Sequence, residues 1–434
     1  MYLYSSLLQR ETDGKPVRVG LIGAGKFGSM FLAQVPTTPG LVVTTIADLD
    51  PAQAMLRCRE VGWDDACVAS TEFVDDAEVM IRGDKVDVVV EATGHPAAGI
   101  KHALLCADHE KHVVMVNVEA DVLAGPYLAQ QARQAGVVYS MAYGDQPALT
   151  MEMIDWARSC GFEVVAAGKG TKYLPSYHAS TPDTVWSHYG LSAEEAAAAG
   201  MRSQMFNSFL DGTKSGIEMA AIANAAGLQA PANGLAFPPC SADDLAQVLR
   251  PQSVGGQLEF SGQVEVVSSL ERNGNPVDRD LRWGVYCVFE APNDYSAACF
   301  RQYGMNTDDS GRYSAMFKPF HLIGLELNIS ILSAALRGQP TGAPVGFNAD
   351  VAAVAKRDLA VGETLDGEGG YTVWGKIMPA QASIAAQALP IGLASDVKLS
   401  APIKQGQVVT QKDIVANTDT QAWQVRNAML RNFG

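Results

Sequence analysis

The sequence predicts an α/β chain: a doubly wound parallel sheet first, an α+β segment next, and a small β module last. Three observations predict it. Between residues 17 and 142, short runs of Val and Ile without polar alternation recur, as strands covered on both faces by crossover helices require. From about 150 to 345 the pattern becomes mixed, with alternating stretches that expect antiparallel strands. Beyond 346, Gly and Pro break up short stretches that show no good helical period. The expected domains are therefore 1–150, 151–345 and 346–434.

The first strand, Val17–Ile22, runs straight into Gly23-Ala24-Gly25-Lys26-Phe27-Gly28, with a helix expected over 29–34. In a G-x-G-x-x-G turn after a strand, the glycines supply a tight turn, close backbone approach to a pyrophosphate, and close helix–strand packing. The helix start adds unpaired N–H groups and a positive dipole end. Gly23, Gly25, Lys26, Phe27 and Gly28 are therefore candidate cofactor contacts. A second strand, 41–47, ends on Asp48, about 20 residues after the last glycine, where an acid accepts from ribose hydroxyls. This is the pattern of a Rossmann domain that binds a nicotinamide dinucleotide. Asp48 would repel a 2′-phosphate, which favours NADH; Arg57 and Arg59 read as ordinary helix-surface residues.

Further strands are expected over 84–94, 112–118 and 137–142. Ligands bind at the carboxyl ends of such strands, which makes Thr93, Gly94 and Asn117 candidates for the nicotinamide side. The last strand leads to Tyr143-Gly144-Asp145-Gln146-Pro147. Of His95, His102, His109 and His112, only His95 can approach the cofactor, and a helix-capping role suits it better than metal binding.

Composition fits a cytoplasmic enzyme. The 434 residues give ample material for a core, and no apolar run approaches the ~18 residues of a membrane span. Residues 1–16 mix Arg10, Glu11, Asp13 and Lys15, without a signal-peptide core. Seven cysteines with no C-x-x-C pair argue against a disulfide framework. A formal charge of −15 disfavours nucleic acid and anionic membranes as partners, and requires a local cluster of cations for any anionic substrate.

The middle segment holds the candidate reacting groups. A strand over 164–172 is expected to emerge into a Gly/Lys/Thr loop, where Lys169 and Lys172 form a candidate anion site. If 205–220 is one helix, Asp211, Lys214 and Glu218 share a face, which is either solvated or turned to the cofactor with Lys214 and Glu218 as reacting groups. Lys318 and His321 precede an apolar helix expected over 322–336. Alternation over 257–298 expects antiparallel strands, a sheet of the kind that mediates self-association, hence a homodimer or homotetramer.

The N-terminal third resembles the NAD-binding domain of homoserine dehydrogenases in VGLIGAGKFG, EATG and HVVMVN. Val118 and Glu119 follow Asn117 where that family has a lysine, which counts against homoserine as substrate. In the last segment, AKRDLAVGETLDG and APIKQGQVVTQKDIV resemble an SAF (antifreeze-like, β-clip) domain. Across the chain, YGDQP, GKGTKYLPSY, DGTKSGIEMA, KPFHLIGLE and GGYTVWGK resemble the 1-deoxy-D-xylulose 5-phosphate reductoisomerase-like family.

That resemblance implies NADPH and the rearrangement and reduction of a ketose phosphate in isoprenoid precursor supply. It asks Lys169, Lys172, Lys214 and Lys318 to bind phosphate or polarise a carbonyl, and His321 to shuttle a proton. Ordinary reductoisomerases hold a divalent metal by carboxylates; Asp145, Asp211 and Glu218 are the oxygen ligands on offer here. A polyol or sugar-acid dehydrogenase on an unphosphorylated substrate is the alternative. A cofactor-binding redox sensor or scaffold is the alternative of another class.

Overall fold

The computed structural model describes residues 2–434, which form two compact units. The first comprises the chain up to Met151, His321–Val345 and Gln424–Asn432; the second holds Glu152–Phe320 and Gly346–Trp423 with the last two residues. The segments expected from sequence are thus interleaved between the units.

The first unit is built on six parallel strands: β1 (Val17–Ile22), β2 (Leu41–Ala47), β3 (Glu72–Val74), β4 (Val88–Glu91), β5 (His112–Met115) and β6 (Tyr139–Met141). Their order, β3-β2-β1-β4-β5-β6, reverses direction between β1 and β4 and so opens a crevice at the carboxyl ends of both strands. Val88, Val89 and Val90 are wholly buried, the burial that an uninterrupted Val run demands. The helix Asn328–Arg337 inserts Ile331 and Leu332 into the core formed by Val19, Phe31 and Val88.

Several boundaries differ from expectation. The helix after the glycines begins at Lys26, directly on Gly25, and runs Lys26–Leu32 rather than 29–34. β4 starts only at Val88, because Arg18 ties the residues before it, donating to the Asp84 carbonyl (2.7 Å) and the Asp87 carboxylate (2.6 Å). β5 stops at Met115, and Asn117 caps the helix Val118–Gln134. The apolar helix expected over 322–336 starts at Asn328, after a turn. The last segment, expected to be all β, ends in the helix Gln421–Phe433. Its buried Ala422, Val425, Arg426 and Met429 recur at helical spacing. Arg426 donates to the Leu123 carbonyl at 3.1 Å.

The second unit contains a four-stranded mixed sheet of β7 (Glu163–Thr171), β8 (Gln263–Ser268), β9 (Val285–Glu290) and β10 (Tyr313–Lys318), in the order β10-β9-β7-β8. The alternating stretches read as antiparallel strands are β8 and β9; they run in opposite directions on either side of β7, which is parallel to β8 and antiparallel to β9. β8 is buried along its whole length, polar positions included, so its alternation does not mark a solvated face. The Gly/Lys/Thr stretch expected as a loop is the end of β7 itself.

The expected single helix over 205–220 is two. Ser203–Leu210 ends at Asp211, Gly212 takes a left-handed φ of +90°, and Thr213–Ala226 begins anew. Asp211 therefore does not share a helical face with Lys214 and Glu218. The second helix packs against β7, β8, β11 (Ala349–Ala355) and, after the short β12 (Thr364–Asp366), β13 (Val373–Pro379). Of its residues only Lys214 is not buried, so the expected solvated face does not exist. β11 pairs antiparallel with β13; β12, β14 (Ser395–Leu399) and β15 (Ile414–Val415) form a second small antiparallel sheet. Among the described residues no helix is long and apolar enough to cross a membrane.

Candidate active site

The glycine loop of the first unit has the shape a dinucleotide needs. Gly23 takes φ +90°, and a Cβ there would lie 2.9 Å from the Ala92 carbonyl. A Cβ on Gly28 would come within 2.5 Å of the Gly23 carbonyl, so only glycine lets helix and strand close up. A Cβ on Gly25 meets nothing within 4 Å: the space in front of it is open, at the uncapped start of a helix. Asp48 accepts from the Ala24 N–H (2.8 Å) and the Asp50 N–H (3.1 Å). Arg57, expected at the helix surface, instead donates to the Ala24 carbonyl at 2.7 Å and so braces the same loop. Lys26 is exposed, and Phe27 packs on the core. Open space, free helix-start amides and an adjacent acid fit a nicotinamide dinucleotide.

The strand ends beside this loop are tied together by polar groups. Thr93 donates to the buried Glu91 carboxylate at 2.6 Å, and Glu91 also meets His102 Nδ1 at 3.2 Å. Asn117 donates to the His95 carbonyl (2.9 Å) and accepts from the Ala120 N–H (3.1 Å). His95 caps its helix, accepting from the Ala98 N–H at 3.3 Å, as expected of it. Gly94 is left-handed with open space where a side chain would stand.

The segment 321–326 belongs to this edge too. A Cβ on Gly324 would lie 2.7 Å from Met30 Cβ, and one on Gly144 would lie 2.8 Å from the Leu322 carbonyl. His321 Nε2 stands 3.2 Å from the amide nitrogen of Gln146, just beyond β6. The fold thus gathers the glycine loop, Asp48, Thr93, Asn117 and His321 at the carboxyl edge of one sheet.

In the second unit, Lys169 of β7 and Glu218 of the Thr213–Ala226 helix form a salt bridge with both side chains more than nine-tenths buried. Lys214 lies one helical turn before Glu218. Lys172 goes elsewhere: it donates to the His188 carbonyl and sits 5.8 Å from the Tyr189 ring centre. Desolvation, with Arg282 nearby, holds its pKa below the ordinary lysine value. Lys169 and Lys172 therefore do not form one anion site. Lys318 lies 5.1 Å from the Phe320 ring centre. Asp211 pairs with Lys356 at 2.8 Å, both buried, and burial pushes the Asp211 carboxyl above its usual range.

No three His, Cys, Asp or Glu side chains come together as a metal site among the described residues, so Asp145, Asp211 and Glu218 are not assembled as ligands. The residues most clearly missed from sequence are Arg57, Glu91, His102 and Lys356. Arg57 is defined by a partner distant in sequence, and Glu91 and His102 meet only because a strand and the following helix pack together; Lys356 and Asp211 are joined across two segments with no local pattern between them.

Fold and site define the class: the chain carries the domains of an NAD(P)-dependent oxidoreductase. Residues 23–141 match the family model described as homoserine dehydrogenase, NAD binding domain. Residues 144–327 match the one described as oxidoreductase DRL, catalytic domain. No curated protein matches the chain in sequence. Among solved structures it is similar to a myo-inositol dehydrogenase from Lactobacillus casei in complex with NAD(H) and myo-inositol (16% identity, 40% of this chain and 50% of that one, TM-score 0.30). It is similar to a 3-ketoreductase from Actinomadura kijaniata in complex with TDP-benzene and NADP (18%, 37% and 48%, 0.27). A probable dehydrogenase from Thermotoga maritima is matched over more of both chains (13%, 75% and 90%, 0.40). The chain spans about half the length of the first solved structures it matches.

Proposed function

We propose that this chain reduces a small polyhydroxylated carbonyl compound with NADPH or NADH, with 1-deoxy-D-xylulose 5-phosphate as the leading substrate. The observation that carries the proposal is the buried Lys169–Glu218 pair, inside the stretch that matches an oxidoreductase catalytic domain. The Lys169 ammonium can donate to a substrate oxygen that gains negative charge. Glu218 anchors that ammonium, and Lys214, one turn away, supplies a second cation for a phosphate. His321, oriented by Gln146 at the carboxyl edge of the first unit, moves a proton. A bound nicotinamide supplies the hydride. Gly23, Gly25, Lys26, Phe27 and Gly28 cradle its pyrophosphate, with Thr93, Gly94 and Asn117 on the nicotinamide side. Asp48 favours a free ribose, and the family resemblance a phosphorylated one.

A carboxylate-held metal does not fit the offered ligands, since lysines already engage Asp211 and Glu218. The unphosphorylated polyol or sugar acid is the second reading, favoured by the separate engagement of Lys169 by Glu218 and of Lys172 by the His188 carbonyl, which does not gather the two cations around one phosphate. A redox sensor is disfavoured by the oxidoreductase catalytic domain match. The resemblances further support a C-terminal SAF-like module and a role in isoprenoid precursor supply; the cysteine usage supports the cytoplasm, and the sheet of the middle segment a homodimer or homotetramer. The test is cofactor oxidation, with NADH and NADPH in parallel, against 1-deoxy-D-xylulose 5-phosphate and a polyol panel. Rescue of a cell lacking its reductoisomerase is expected. Absence of rescue and of turnover on the sugar phosphate, with folded protein present, would shift the assignment to the polyol.

A further inference from the structure

A cavity of about 530 Å³ opens within the second unit, and no group in the proposed reaction lines it. Its walls are the 175–179 turn, the start of the Thr213–Ala226 helix, the 233–237 loop, strands β11 and β13, and the turn at 405–406. The size is that of a small-metabolite pocket.

The walls are fixed in advance. His178 stacks on Trp374 with ring centres 3.9 Å apart. It donates from Nδ1 to the Asp211 carbonyl (2.6 Å) and accepts at Nε2 from the Tyr173 hydroxyl (2.9 Å). Desolvation holds its pKa below the ordinary histidine value, so the ring is neutral near pH 7. Tyr173 stacks in turn on Phe237, with centres 3.9 Å apart. The 233–237 loop is clamped on both sides. The buried Glu265 carboxylate accepts from the Ala236 and Phe237 N–H groups, and Arg272 donates to both of their carbonyls. A pocket held this way does not have to order itself around a ligand.

The charges are unbalanced. Lys356 is engaged by the Ser180 and Gly370 carbonyls and by Asp211. Lys376 is not. It is half-buried, and its aliphatic stem runs over Gly234, where a Cβ would come 2.8 Å from Cε. Among the described residues no carboxylate pairs with Lys376, and no Asp or Glu lines the cavity. In a chain with 47 acidic and 32 basic residues, a pocket with cations and no carboxylate is set apart from the average surface. A half-buried ammonium without a counter-charge is the natural partner of a ligand anion.

We propose that this cavity binds a small organic anion, a phosphate- or carboxylate-bearing metabolite of sugar-phosphate size. Lys376 pairs with its charge, and the His178–Trp374 stack forms its apolar wall. The site is additional to the nicotinamide edge and to the Lys169–Glu218 pair, and shares no residue with either.

Titration calorimetry and the change in thermal midpoint test this with glucose 6-phosphate and citrate as anionic probes and glucose as the neutral one. At least one anionic probe is expected to bind and raise the midpoint, while glucose does not. Lys376→Gln should weaken that binding by about tenfold or more, the loss of one charge-assisted contact. Ala179→Trp, which fills the cavity from an exposed turn, should abolish it. Circular dichroism of both variants without ligand reports the fold. Failure of both anionic probes to bind the wild type at about 10 mM would overturn the proposal. So would anion binding that either folded variant leaves unchanged.

Discussion

Gly25 shows how one residue separates folding from binding. Its Cβ position is empty space and its φ is −68°, within reach of any residue, so a side chain there does not strain the loop. The same side chain would fill the place where a pyrophosphate meets the backbone. Gly25→Val is expected to fold with a near-normal thermal midpoint and to lose nicotinamide binding in calorimetry; retained affinity would remove the loop from the cofactor site. Gly28 is the contrast, since a Cβ there collides with the Gly23 carbonyl. The motif that singled out these glycines was legible because backbone geometry within a few residues dictates it. Arg57 was not, because nothing in its helix marks it for the Ala24 carbonyl.

At the scale of the element, the Thr213–Ala226 helix is the informative piece. Sequence spacing put Lys214 and Glu218 one turn apart, and that survives. What spacing does not reveal is that the helix is covered by two sheets, β7 and β8 on one side and β11 and β13 on another. Burial then turns Glu218 from a candidate surface acid into half of a buried ion pair. Breaking such a pair strands a charge and costs about 3–5 kcal/mol, so single variants lose stability as well as function. Glu218→Gln and Lys214→Ala are expected to lower turnover by ~100-fold or more with cofactor affinity unchanged. The double variant Lys169→Met with Glu218→Gln distinguishes the roles. It removes both charges and should regain stability in urea unfolding yet stay inactive; regained turnover would make the pair structural only.

For the whole molecule, pH acts through carboxyls that the tertiary structure buries. Burial pushes Asp121 up to about 7, although the Tyr139 hydroxyl donates to it at 2.8 Å. Glu265 rises to about 7 for the same reason, against the pull of backbone N–H bonds. A carboxyl with a raised folded-state pKa keeps a proton that the unfolded chain has released. Its contribution to stability is therefore present below about pH 4, falls by up to ~1.4 kcal/mol per pH unit as the pH rises, and levels off above about 7. Asp121→Asn keeps an acceptor for Tyr139 and removes the titration. The variant should gain on the wild type, in urea midpoint, between pH 5 and pH 8; a constant gap would mean that Asp121 titrates normally. Neither carboxyl stood out in the sequence, because nothing local distinguishes Asp121 from an acid in the exposed first turn of a helix. The sequence by itself determined the parallel sheet, the glycine loop with Asp48, and the spacing of Lys214 and Glu218, since each depends on neighbours within one strand, turn or helix. Only the tertiary structure decided that 321–326 joins the carboxyl edge of the parallel sheet, that Lys169 meets Glu218, that Asp211 is held by Lys356, and that Lys376 faces a cavity without a counter-charge. Those outcomes depend on burial and on pairs far apart in the chain, and no local pattern of residues encodes either.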